Sequence, residues 1–113
     1  MSDYKTLQEI HNMFGITRRA IQGYEEIGLV KAVDKNKYGY LLYGEKEIER
    51  IQEIKMYQEF GFKLKEIKEL IDVPRCILKA VMEKRIIELR EQQKKLNALI
   101  TQVEVFIEQL DNE

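Results

Sequence analysis

A chain of 113 residues with a net charge of -1, 35% charged residues and a mean hydropathy of -0.43 has room for one ordinary domain, or for a small domain and an extended element, but not for two cores. No run approaches the ~20 apolar residues of a membrane span, and the opening MSDYKTLQEI lacks a signal peptide's apolar core, so a cytoplasmic protein without membrane contact is expected. A single cysteine (Cys76), histidine (His11) and serine (Ser2) exclude an intrachain disulfide, argue against a zinc site and leave nucleophile-base catalysis almost no raw material, so neither an enzyme nor a cofactor is expected.

Thr6-Leu7-Gln8-Glu9 has the T-x-x-E form of a capping box, predicting a helix to about Phe14 with Leu7, Ile10 and Phe14 on one face and Gly15 as its left-handed stop. Ile16 follows, and Thr17 can cap a second helix from Arg18 to near Gly28, which makes a helix-turn-helix. On that helix Ala20, Ile21, Tyr24 and Ile27 can face the first, leaving Arg18, Arg19, Gln22, Gly23 and Glu26 towards solvent. LVKAVDKNKYGYLLY sets apolar and aromatic residues on both sides of turn-forming Asp34-Lys35-Asn36-Lys37, predicting a short hairpin, the only strand signal in the sequence. A helical period returns from Glu45 with Ile48, Ile51, Ile54 and Phe60. It stops at Gly61, then resumes at Leu64 with Ile67, Leu70 and Ile71. Asp72-Val73-Pro74 marks a boundary, because proline disfavours a helical residue before it and suits the first turn of a new helix.

Beyond Pro74 there is neither Gly nor Pro, and the segment from about Arg75 to Leu110 predicts one helix of roughly 50 Å. With Met82, Leu89, Leu96, Val103 and Leu110 at heptad position a, Leu78, Leu99 and Phe106 fall at d, while Arg85 and Gln92 interrupt the seam there. Ile86, Ile100 and Ile107 widen it at e. So small a core cannot cover this face, and a second copy of the same helix can; a homodimer is the expectation.

The order helix-turn-helix, hairpin wing, two helices and a long terminal helix resembles that of the MerR family of transcriptional regulators. The segment GITRRAIQGYEEIGLV resembles the family's recognition-helix segment, YGYLLYGEKEIERIQEI its wing and third helix, and EFGFKLKEIKELI its Gly-Phe-Ser-Leu-x-Glu-Ile segment. The resemblance runs through residues 4–72, with the long helix matching in pattern only. It implies a mainly α fold: a winged helix-turn-helix DNA-binding domain over residues 1–74 and a dimerisation helix over 75–113, paired as an antiparallel coiled coil. Where the family usually shows Arg-Tyr before the tyrosine this chain has Gln22-Gly23, and where its wing reads Gly-Tyr-Arg this one reads Gly39-Tyr40-Leu41. No effector domain is expected after the long helix.

The global charge argues mildly against nucleic acid, but the first 43 residues carry six Lys/Arg against five Asp/Glu and the remainder thirteen against fifteen, so the positive excess is N-terminal. Arginines in a first helical turn oppose the helix dipole and must find an anion elsewhere, which makes Arg18 and Arg19 candidate DNA contacts rather than a plain solvated helix start. Gln22 can read an adenine edge, and Thr17 adjoins them. Tyr24 is either a core aromatic or a phosphate contact. Lys35, Lys37 and Tyr40 are either hairpin solubilisers or wing contacts, and Lys63 sits where the family caps a helix near phosphates. Cys76 is expected to be incidental, His11 a helix-surface residue, and Leu78, Met82, Leu89, Leu96, Leu99, Val103, Phe106 and Leu110 the dimer seam.

The expected partners are double-stranded promoter DNA, a second copy of the chain and RNA polymerase at a promoter that the dimer distorts. The rival reading is a protein-interaction module or an antagonist without productive DNA binding.

Overall fold

The computed structural model describes residues 4–112. Helix α1 (Leu7–Phe14) starts at the capping box: the Glu9 N–H donates to Thr6 Oγ1 at 3.2 Å, and the Thr6 N–H donates back to Glu9 Oε1 at 3.1 Å. That backbone donor is the main reason the Glu9 carboxyl lies below the usual carboxylate range. The helix stops at Gly15, whose φ of 72° is left-handed and whose N–H donates to the His11 carbonyl at 2.8 Å. Two residues later Thr17 Oγ1 accepts the Ala20 N–H at 3.1 Å and starts α2 (Arg18–Glu26).

His11 is not the plain surface residue expected. It is half-buried, and its Nδ1 lies 3.2 Å from the Ile16 carbonyl, so the tautomer with hydrogen on Nδ1 fastens the turn between the two helices. Phe14, placed by its spacing on the apolar face, is 37% exposed, because at the end of α1 it lines an open recess with Ile16, Gln52, Lys55 and Met56 rather than entering the core.

The hairpin is present, with its turn displaced. Strands β1 (Asp34–Lys35) and β2 (Leu41–Leu42) pair antiparallel, Asp34 with Leu42 and Lys35 with Leu41. Asp34 and Lys35 are therefore strand, and the reversal runs through Asn36 to Gly39. The Asn36 side chain accepts the Tyr38 and Tyr40 N–H groups at 2.9 and 3.0 Å, and Gly39 takes a φ of 83°. A further bridge joins Lys5 to Tyr43 through two backbone hydrogen bonds of 2.8 Å, tying the N-terminal segment to the end of the wing.

Helices α3 (Glu45–Glu59) and α4 (Leu64–Leu70) complete the first unit, Met1–Val73. Ile10, Ile21, Tyr24, Tyr43, Ile51, Ile54 and Ile67 are fully buried. Phe60, expected on the core face, is 41% exposed, since it closes α3 beside the turn at Gly61 and packs edge-on against Tyr57. Arg50 braces the unit: its Nε donates to the Leu29 carbonyl at 3.0 Å and its two terminal nitrogens fork onto Asp72 at 2.8 and 3.0 Å. Among the described residues no buried side-chain nitrogen or oxygen lacks a hydrogen-bond partner.

The second unit, Pro74–Glu113, is one helix, α5 (Arg75–Asp111), of 37 residues, about 55 Å at ~1.5 Å per residue. None of its residues is buried. Leu78 and Met82 are half-buried, whereas Leu89, Leu96, Leu99, Val103, Phe106 and Leu110 are all exposed. No helix among the described residues is long and apolar enough to cross a membrane.

Candidate nucleic-acid interface

Arg18, Arg19 and Gln22 project into solvent from α2, while Ile21 and Tyr24 on its opposite face are buried. Spacings of three and four residues separate these two sets, and Thr17 fixes where the helix begins. No ion pair with a described carboxylate engages Arg18 or Arg19. Lys35, Lys37 and Tyr40 are exposed on the wing, with Lys37 Nζ 5.1 Å from the centre of the Tyr38 ring. Arg18 meets Tyr40 and Leu41 across a shared cleft, so the start of α2 and the wing form one surface. Lys63 is exposed at the cap of α4, where its N–H donates to Glu66 Oε1 at 2.9 Å; it does not line that cleft.

Tyr24 resolves the other way from its companions. It is 1% exposed, and its hydroxyl donates to Gln58 Oε1 at 2.7 Å, a bond that joins α2 to α3. Burial, and then the nearby Glu59 charge, push its hydroxyl up, so it stays a neutral donor. This geometry supports the core reading of Tyr24 rather than a surface phosphate contact.

The arrangement also depends on Tyr43, which sequence reasoning had assigned only to the hairpin. Its fully buried ring carries a hydroxyl that donates to Glu25 on α2, and its backbone holds the Lys5 bridge. Burial first, and then Glu25, push that hydroxyl well above the usual tyrosine range. Tyr43 thus ties the wing to the recognition helix. The one sequence signal for it was its place in the apolar and aromatic run after the turn, which does not say what its hydroxyl meets.

Residues 5–73 match the MerR HTH family regulatory protein model, and residues 48–105 match the model described as MerR, DNA binding. The chain belongs to the MerR family. It is 28% identical over 98 residues to the HTH-type transcriptional activator mta of Bacillus subtilis (strain 168), a match that takes in 87% of this chain and 38% of that activator's length. The chain thus spans little more than a third of this curated relative. Its fold is similar to the crystal structure of MtaN, the N-terminus of the Bacillus subtilis multidrug transporter activator, at 26% identity and a TM-score of 0.77, covering 91% of this chain and 97% of that one. It is also similar to that of HiNmlR, a MerR family regulator lacking the sensor domain, bound to promoter DNA, at 20% identity and a TM-score of 0.55, covering 93% and 79%. MerR-family relatives are transcriptional regulators rather than enzymes. Where this MerR chain departs from the wing pattern, Leu41 is half-buried against the cleft, so an apolar side chain fits its local surroundings.

Proposed function

We propose that this chain regulates transcription by binding double-stranded promoter DNA as a homodimer, with Arg18, Arg19 and Gln22 of α2 in the major groove and Lys35, Lys37 and Tyr40 of the wing on the flanking backbone. The observation that carries the reading is the exposed arginine pair at the start of α2, free of ion pairs with described carboxylates, with Arg18 lining one cleft with the wing, in a chain of the MerR family. Thr17 and Lys63 are further proposed contacts, each at a helix start. Pairing of α5 with its antiparallel copy through Leu78, Met82, Leu89, Leu96, Leu99, Val103, Phe106 and Leu110 supplies the two-fold symmetry. Distortion of the promoter for RNA polymerase costs on the order of 1–6 kcal/mol, which contacts from two winged helices offset.

The test is operator affinity across a salt series, using DNA upstream of the chain's own gene. Lys37→Ala removes one phosphate contact per protomer and should lower the slope of log affinity against log salt by roughly two in the dimer. Loss of a base-reading arginine in Arg18→Ala or Arg19→Ala should cost about 1–3 kcal/mol per contact. Lys94→Ala, on the exposed surface of α5, should change neither. Identical behaviour of all four variants and the parent would refute the DNA reading and favour a protein-interaction module.

A further inference from the structure

Between the starts of α1 and α2 and the wing lies a cleft of about 340 Å³, bounded among the described residues by Thr6, Leu7, Gln8, Arg18, Tyr40 and Leu41. It falls in the range of roughly 300–1,000 Å³ in which small ligands are held. Leu7, Leu41 and the Tyr40 ring give it apolar walls. Its polar groups are mostly engaged nearby: Thr6 Oγ1 accepts the Glu9 N–H, and the Gln8 amide donates to Asn12 Oδ1 at 3.0 Å. Among these lining residues the one charged group is the Arg18 guanidinium, which has no described carboxylate within ion-pair distance.

We propose that this cleft binds a small organic carboxylate with an aromatic or branched aliphatic body, and that its occupation excludes DNA. The second half rests on the DNA reading above, because Arg18 and Tyr40 serve both. A guanidinium presents two parallel donors that match the two oxygens of a carboxylate. The apolar body then lies against Leu7 and Leu41, with an aromatic one also meeting the Tyr40 ring edge-on or offset. Inorganic phosphate would meet one cation and leave the apolar walls in water, and an amine would meet a like charge. A neutral arene would cover the guanidinium and give it no anion. Since one occupant displaces the other, linkage requires the apparent Kd for DNA to rise with ligand, about elevenfold when the ligand stands at ten times its own Kd.

The probe is phenylacetate, with 2-phenylethanol as its neutral isostere and phenethylamine as the cation, titrated into the full chain and followed by amide NMR. Phenylacetate should give saturable shifts centred on residues 6–8, 18, 40 and 41. The alcohol should bind at least tenfold more weakly, and the amine not at all. Arg18→Gln should abolish the response and Arg18→Lys should retain part of it. In parallel, phenylacetate should weaken the parent chain's grip on operator DNA by the factor its own Kd dictates. Absence of saturation, an equal response to the alcohol, or an undiminished response in Arg18→Gln overturns the site. Simultaneous binding of DNA and phenylacetate overturns the exclusion. A chain that saturates with phenylacetate and binds no DNA refutes the DNA reading and leaves the carboxylate site standing, whereas one that binds DNA and never saturates refutes the site alone.

Discussion

In the first unit Ile10, Ile21, Ile51, Ile54 and Ile67 lose all their exposure, whereas in α5 Ile86, Ile100 and Ile107 keep 48, 51 and 51% of theirs. The side chains are the same; the connections differ. Short helices that end at Gly15 and Gly61 fold back on one another, so each apolar stripe finds a neighbour within the same 73 residues. The helix after Pro74 has no Gly or Pro at which to fold back, and its stripe stays exposed in the single chain. Hydrophobicity thus sets what must be covered, and chain topology sets whether one chain suffices.

The largest test of this contrast is Leu99→Asp, at a position 54% exposed in the single chain and central to the proposed dimer seam. Burying the new carboxylate unpaired, twice per dimer, should cost on the order of 3–5 kcal/mol for each copy and yield a monomer in light scattering. Far-ultraviolet dichroism should then lose signal from α5, since a long helix without packing is marginal, while the first unit stays folded. A parent chain that is already monomeric at micromolar concentration would break the comparison outright. The converse cut, Ile54→Ala, removes a wholly buried side chain and should cost the first unit about 2–5 kcal/mol, read as a lower thermal midpoint.

What was legible in the sequence follows the same division. The capping box at Thr6 and Glu9, the caps at Gly15 and Thr17 and the unbroken run after Pro74 are local signals, and the structure has each of them. The features left open in the sequence, the hydroxyls of Tyr24 and Tyr43 and the exact place of the hairpin turn, depend on partners distant in sequence or on a choice among neighbouring turn residues. Tyr24 bonds to Gln58, 34 residues away, and Tyr43 to Glu25, 18 away, so helical spacing identified the buried face of Tyr24 without showing what its hydroxyl meets. The hairpin was legible from its flanking apolar residues, but its reversal was set by the Asn36 side chain, one of four adjacent polar residues with similar turn preference. For the candidate interface, the exposure of Arg18, Arg19 and Gln22 followed from periodicity. The cleft that joins Arg18 to Tyr40 did not, because it depends on where the wing folds.

A smaller effect is expected from Tyr43→Phe. The ring and the Lys5 backbone bridge remain, and only the donor to half-buried Glu25 is lost, at a cost of about 1–3 kcal/mol. The midpoint of the first unit should fall while dissociation of the proposed dimer stays unchanged, which separates the two units by a single atom. A parallel loss in both would mean that they do not behave as distinct structural units.

The smallest effect concerns Arg50 and Asp72, the pair that closes the first unit just before Val73 and Pro74. Hydrogen bonding from Arg50 is the main reason the Asp72 carboxyl lies below its ordinary value, and the same bond raises Arg50, which stays charged throughout. A carboxyl lowered in the folded state contributes stability that is fully present above the ordinary value of about 3.9 and is lost as pH falls through the lowered one. Asp72 is 76% exposed on its side chain, so solvent and salt screen the pair and its worth is held to about 1 kcal/mol or less. Glu9 is lowered as well and titrates in the same acid window, so the parent curve alone cannot isolate the pair. Subtracting the curve of Asp72→Asn can. The difference in thermal midpoint should be a few degrees at most at neutral pH, shrink below pH about 4, and shrink again in 1 M salt. A difference independent of both pH and salt would refute an ionic role for Asp72 and leave the Arg50 Nε bond to the Leu29 carbonyl as the contact by which Arg50 braces the unit.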